Sequence, residues 1–378
     1  MYLSIKNNSE KWIGFTLVAL ITLMSSCGSG GSAGQVTQPI VQTPQTPVVE
    51  EGPLILPTTT PFILADEISP QKAINVMQIG INLGNTLDAP NEGDWALAAQ
   101  NNFLVAFKNA GFKHVRIPVT WDAHTLEEAP YTVDEAFMLR VEQIVDWALE
   151  QELYVILNAH HEGWLKGDYQ QQKNKNRIDA IWLQVAARFK QKPAKLMFEM
   201  LNEPNGMTID DVNQFNTRTL SIIRNENPNR LVVFSGNGFT PIDSLLATEI
   251  PDVQDQFLIG NFHSYDPWAF AGQCIQGWGT DDDKAQLREI YQQAFDWSVV
   301  NNIPVMVNEF GVAKYDFQQP ENVCQQSERL AYLQHHVSLA DEFGIAGTFW
   351  DDGGSFSSFD RKNGTWGAEK DILVRHNL

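Results

Sequence analysis

Positive charge is scarce in this 378-residue chain: 26 Lys and Arg stand against 46 Asp and Glu, for a formal charge of −20. A surplus of that size repels nucleic-acid phosphates and anionic lipid headgroups, which argues against nucleic acid as a partner. A neutral polymer meets no such barrier. The N-terminal apolar run, residues 12–24, is about 13 residues where a spanning helix needs about 20, so it is too short to cross a membrane. A glycine-rich phosphate turn is missing too. Gly80-Ile-Asn-Leu-Gly-Asn-Thr lacks the spacing that open, doubly wound sheets carry after their first strand. Cysteine occurs three times, at Cys27, Cys274 and Cys324.

What is present begins with a leader. Lys6 and Lys11 precede the apolar run, which ends Leu23-Met24-Ser25-Ser26-Cys27-Gly28. Residues 1–27 therefore read as a signal peptide that resembles the bacterial lipoprotein type, in which the cysteine becomes the lipidated first residue. The match departs where Met24 stands three residues before Cys27, a place usually held by Leu. The competing reading is an ordinary secretory signal with Cys27 incidental. No Asp follows Cys27, so the resemblance implies lipid anchoring at the outer membrane or cell surface of a bacterium, and otherwise secretion. Cys274 and Cys324 are then left as a pair in an oxidising compartment, where a disulfide is open to them.

Residues 28–61 change character. Gly and Ser give way to Gln, Thr and recurrent Pro without apolar periodicity, the composition of a tether that stiffens along its length. From residue 62 to 378 short apolar runs appear at 79–83, 114–117, 154–158, 196–201, 231–235, 257–262, 305–308 and 345–350. Amphipathic stretches separate them, among them 135–149, 283–300 and 327–343, with apolar residues recurring at three and four. Eight strands alternating with helices predict a (β/α)8 TIM barrel, an α/β fold that runs to about 250 residues as one domain.

Active sites of such barrels lie at the C-terminal ends of the strands. Those ends here carry Asn82 and Asn85, Arg116, His160-His161-Glu162, Asn202-Glu203, His263-Ser264-Tyr265, Glu309, and Trp350-Asp351-Asp352. Any one of them is explained as a turn cap or a surface charge. Seven of eight strands ending in such groups describe a site. Glu203 and Glu309 each close an apolar run after an Asn, and strands four and seven are nearly opposite in a barrel of eight.

Val115-Arg116-Ile117-Pro118, Asn158-Ala159-His160-His161, Leu201-Asn202-Glu203-Pro204, Phe262-His263-Ser264-Tyr265, Asn308-Glu309-Phe310-Gly311 and Phe349-Trp350-Asp351 stand in order at suitable intervals. With the opening Gly80-Ile-Asn-Leu-Gly-Asn-Thr-Leu-Asp, this series resembles glycoside hydrolase family 5, the cellulase-type endoglucanases, from about residue 66 to the C-terminus. The resemblance implies a retaining endo-β-1,4-glucanase, with Glu203 as general acid/base and Glu309 as nucleophile, and no cofactor or metal. It implies a β-glucan polysaccharide as partner, with β-mannan or xyloglucan as alternatives. A monomer is the default.

The supporting roles follow from the chemistry. Arg116 supplies the cation that favours a charged nucleophile, and Tyr265 orients Glu309. Asn202 donates to a sugar 2-OH, a contact that strengthens in the oxocarbenium-like transition state. His160 and His263 hold the carboxylates or sugar hydroxyls, Trp350 and Trp268 offer flat faces to sugar rings, and Asn85 and His161 complete the binding set. Trp121 is a further candidate platform. Asn158-Ala159 departs from relatives, which often carry an acidic or bulky residue before the histidine; this bears on the support of His160. A metal shared by His160 and His161, with His263 and Asp266 nearby, is not expected, because adjacent residues point to opposite sides unless the strand has ended. The rival class is a surface glycan-binding lipoprotein that keeps the barrel without activity.

Overall fold

The computed structural model describes residues 51–374. Eight strands, every residue of each buried, run β1 (Ile79–Asn82), β2 (His114–Ile117), β3 (Tyr154–Asn158), β4 (Leu196–Glu199), β5 (Val232–Ser235), β6 (Leu258–Ser264), β7 (Val305–Phe310) and β8 (Ala346–Phe349). Such runs are buried on both faces, as parallel strands under helices must be. They pair in sequence order, and β8 returns to β1 through Ile79 opposite Gly347, closing the barrel. The (β/α)8 expectation is correct.

Helices alternate with the strands, the first of them ahead of β1: α1 (Pro70–Met77), α2 (Asn101–Ala110), α3 (Glu135–Glu150), α4 (Gly163–Gly167), α5 (Gln172–Phe189) and α6 (Ile209–Glu226). Beyond them come α7 (Ile242–Ala247), α8 (Trp268–Ala271), α9 (Asp281–Asn301), α10 (Gln326–Phe343) and α11 (Glu369–Val374). None in the described residues is long and apolar enough to cross a membrane. The first helix precedes the barrel and closes its floor. Ser69 caps it by accepting the Lys72 amide, Pro70 occupies its first position, and Ala73, Ile74 and Met77 pack with Ile156, Met197, Val233, Ile259 and Met306. Among the described residues this plug covers the N-terminal end of the barrel, which leaves the C-terminal end for a ligand.

The signal and lipid-anchor readings, with Cys27, lie outside the described residues. The last part of the stretch read as tether does not. Residues 51–62 lie along α5 and α6: Asn176 Oδ1 accepts the Leu54 amide at 2.9 Å, Arg218 donates to Leu54 O at 3.1 Å, and Asn225 donates to Pro57 O at 3.1 Å. The Phe62 amide then reaches Glu226 O at 2.9 Å. Proline cannot extend a sheet ladder, but its carbonyl still accepts, and the Asn225 side-chain amide on α6 uses that of Pro57.

Candidate active site

Arg116 is the centre of the barrel mouth, and its side chain is fully buried. All five of its N–H groups have acceptors. Nε and one Nη2 proton go to Glu199 Oε2 and Oε1 at 2.6 and 2.7 Å, and the other Nη2 proton to Asn202 Oδ1 at 2.8 Å. Nη1 serves Asn82 Oδ1 at 3.0 Å and Glu309 Oε1 at 2.6 Å. Burial opposes the charge, but Glu199 and Glu309 outweigh it and hold the guanidinium protonated beyond its ordinary range. Glu199 also accepts from Asn308 Nδ2 at 3.1 Å. Glu199 is not legible as a site residue from the ends of the apolar runs, although a lone acid inside Leu196-Met-Phe-Glu is the available signal.

Two boundaries differ from the sequence reading. β4 stops at Glu199, so Glu203 lies beyond the strand rather than at its last position. The chain stays extended there because the Met200 amide bonds Val233 O at 3.1 Å and the Asn202 amide bonds Ala159 O at 2.9 Å. Glu203 itself has φ +36°, a costly conformation for a residue with a side chain, of the kind that concentrates at functional sites. Glu309 lies inside β7, which continues to Phe310. The register of β7 slips against both neighbours, between Phe262 and His263 on one side and between Val307 and Phe310 on the other. A bulge of this kind re-aims a side chain, here Glu309, into the mouth.

The two glutamates converge through β6. His263 Nδ1 lies 3.0 Å from Glu203 Oε1 and 3.7 Å from Glu309 Oε2. One oxygen of each carboxylate and a ring nitrogen of His263 all lie within 4.8 Å of one another. Facing two carboxylates, Nδ1 carries the ring proton. Tyr265 donates its hydroxyl to Glu309 Oε2 at 2.9 Å. Burial, then the Glu309 and Glu203 charges, push that phenol well above its usual range, so it remains a donor. Both oxygens of Glu309 are thereby held, one by Arg116 and one by Tyr265. Asn202 spends its carbonyl oxygen on Arg116, which leaves its N–H groups for a ligand.

His160 does not touch either glutamate. Asn158 accepts the Val119 amide through Oδ1 at 3.0 Å, which turns its Nδ2 toward His160 Nδ1 at 3.2 Å. Nδ1 must accept, so the ring proton sits on Nε2. Burial, with Arg116, Lys166 and His263 nearby, keeps the ring neutral, well below the ordinary histidine range. His160 lies parallel to Trp350, at 3° and 5.9 Å between ring centres. Gly84 makes room for that indole, since a Cβ there would meet it at 2.9 Å.

β3 ends at Asn158, so strand alternation does not separate His160 from His161, and their rings lie 4.4 Å apart. Asp88, His160 and His161 do bring ligand atoms within 4.8 Å of one another. The tautomer forced by Asn158 still fits a hydrogen-bond donor better than a metal ligand, because a metal on Nε2 would set Nδ1–H against the Asn158 amide.

The remaining predicted positions lie around the rim. His161 meets Trp95 edge-on at 5.6 Å, and Asn85, at φ +57°, gives its amide to Asp88. Asp88 is buried, which raises its carboxyl to about 6. Trp268 is half exposed beyond Tyr265 and makes no contact with the glutamates. Trp121 is no platform: it is buried and its Nε1 donates to Asn158 O at 3.0 Å. Asp351 is structural, bound by the Ser358 and Phe359 amides and by Arg361. Beneath the site, buried Lys166 donates to His160 O at 2.6 Å, with burial lowering its amine to about 8. Cys274 and Cys324 are joined as a disulfide.

The profile of the cellulase family, glycosyl hydrolase family 5, matches residues 75–355. Endoglucanase H of Acetivibrio thermocellus is 40% identical over 304 residues, which are 80% of this chain and 32% of the relative. Endoglucanase B of Paenibacillus lautus is 33% identical over 312 residues, 76% of this chain and 54% of the relative. The chain thus spans about a third to a half of these curated relatives. Thermotoga maritima Cel5A, solved with cellobiose, matches with a TM-score of 0.76 at 28% identity, over 81% of this chain and 99% of that structure; the same protein has been solved with mannotriose.

Proposed function

Since the chain belongs to glycosyl hydrolase family 5, the cellulase family, we propose that it cleaves β-1,4-linked glucan at internal bonds, by a retaining double displacement. The observation that carries this is the approach of the Glu203 and Glu309 oxygens within 4.8 Å. Retention uses carboxyl groups about 5–5.5 Å apart, whereas inversion leaves about 6.5–9.5 Å for a water.

Glu309 attacks the anomeric carbon while Glu203 gives its proton to the departing glycosidic oxygen, and the C–O bond breaks. A sugar ester of Glu309 results. Glu203, now anionic, takes a proton from water, whose oxygen displaces Glu309 and restores both groups. Arg116 and Tyr265 fix the two oxygens of Glu309 in line for attack. His263 occupies Glu203 Oε1, which leaves the other oxygen to carry the proton. Asn202 offers N–H to the 2-OH, and the Trp350 face receives the sugar's C–H surface. His160 adds a neutral Nε2–H donor.

Glu203→Gln and Glu309→Gln should each lower hydrolysis of carboxymethylcellulose by several orders of magnitude while glucan binding persists. Unchanged hydrolysis in either variant defeats the assignment and leaves the glycan-binding reading. β-Mannan is the second substrate, favoured by the binding of mannotriose by the Thermotoga relative; glucomannan and lichenan assays beside cellulose derivatives decide between them. The Cys274–Cys324 disulfide supports action outside the cytoplasm, consistent with a lipid-anchored or secreted chain.

A further inference from the structure

Two exposed tryptophans lie on loops that follow barrel strands. Trp95, 43% exposed, follows β1, and Trp268, 47% exposed, follows β6. Trp268 lies edge-on to Tyr265 with ring centres 6.0 Å apart, and Tyr265 is the residue bonded to Glu309. It is thus one ring removed from the nucleophile. It also follows β6, the strand that carries His263 to Glu203, the residue proposed above to protonate the leaving group.

The indole has little of its own to hold it. It opens α8, a helix of four residues, too short to be stable alone. Gly272 lies so close beneath it that a Cβ there would meet the ring at 2.4 Å. Phe270 and Ala271 are buried, and the Ala313 amide from the loop after β7 bonds Ala271 O at 2.7 Å. The turn ends at Cys274, in the left-handed region at φ +53°, and there the disulfide joins it to Cys324, 50 residues on, in the loop after β7. The Cys324 amide in turn bonds Lys314 O at 3.1 Å. The loops after β6 and β7 are therefore one cross-linked wall, and Trp268 is one of its exposed side chains.

We propose that the Cys274–Cys324 disulfide is a positioning element for Trp268, holding it as a platform for the leaving-group end of a long β-glucan. This rests on the assignment of Glu203 and Glu309 above. The cysteines touch no substrate; they act by keeping the indole in place before the glycan arrives, so that binding does not have to order the loop. The effect is confined to substrates long enough to reach Trp268.

The test compares cellopentaose with a short aryl cellobioside in wild type, the Cys274→Ser/Cys324→Ser double variant, Trp268→Ala, and the triple variant. The ratio of kcat/KM for cellopentaose to that for the aryl cellobioside should fall about fivefold to tenfold in the cysteine variant, mostly through KM. Adding the cysteine changes to Trp268→Ala should then change the ratio less than about twofold, since coupled residues are not additive. If the cysteine variant folds poorly, phosphine reduction of wild type and reoxidation should lower and restore the same ratio. Equal loss on both substrates, or a ratio that falls in Trp268→Ala alone, overturns the proposal. Full aryl cellobioside hydrolysis by Glu309→Gln defeats the catalytic reading instead, whatever the ratio does.

Discussion

Glu199→Gln isolates the residue on which the geometry of the site depends most and which never touches a substrate. Glu199 takes two of the five Arg116 N–H groups at 2.6 and 2.7 Å, in a setting where Arg116 is fully buried and Glu199 is 1% exposed. Its bidentate grip sets the plane of the guanidinium, and that plane sends the other N–H groups to Glu309, Asn202 and Asn82. The glutamine keeps the shape, removes one negative charge, and turns an NH2 group toward an N–H of arginine. Breaking one partner out of a buried pair costs about 3–5 kcal/mol. Against a total stability of about 5–15 kcal/mol the variant still folds, but at roughly 2–4 °C per kcal/mol its melting point should drop by about 10 °C. Activity should fall at least about tenfold, because a displaced guanidinium misplaces Glu309 and Asn202 together. Calorimetry and carboxymethylcellulose hydrolysis measure the two effects. The contrast is Glu309→Gln, which should lose far more activity and somewhat less stability, because Glu309 takes one Arg116 N–H where Glu199 takes two. A Glu199→Gln variant within about 2 °C of wild type and fully active refutes the claim that this pair organises the site.

Glu162 is fully buried, accepting the Trp121 amide at 2.7 Å and the Trp164 indole N–H at 3.0 Å, and burial raises its carboxyl from 4.5 to about 7. The folded protein therefore keeps a proton there that the unfolded chain releases near pH 4.5, so this group's contribution to stability declines as pH rises from about 4.5 to 7. In Glu162→Gln the difference in urea-measured stability between pH 5 and 7.5 should shrink by up to about 3 kcal/mol; an unchanged difference refutes the assignment. The strap over α5 and α6 predicts that a chain starting at residue 62 melts lower than one starting at residue 51. The loss should be about 2 kcal/mol for the hydrogen bonds of Leu54, Pro57 and Thr59, and equal melting points would show those contacts to be without weight.

By itself the sequence determined the barrel. Eight apolar runs of strand length, separated by amphipathic stretches, can bury both faces only as parallel strands under helices, and the observed strands begin within a residue of those runs. It also determined which residue types face the mouth, because Arg116, Asn202, Glu203, His263, Tyr265, Glu309 and Trp350 stand at or just past the ends of apolar runs, where a barrel opens. What the tertiary structure decided is who holds whom. Glu199 looked like one acid in an apolar run until the closed barrel set it against Arg116, on a strand 83 residues earlier in the chain. Trp121 looked like a platform until packing buried it. The adjacent histidines seemed to point apart until β3 ended before them and Asn158 chose the tautomer of His160. Periodicity records which side of an element meets apolar neighbours. Hydrogen bonds between distant strands, the bulge that aims Glu309 and the disulfide behind Trp268 depend on closure of the whole ring, which no local pattern encodes.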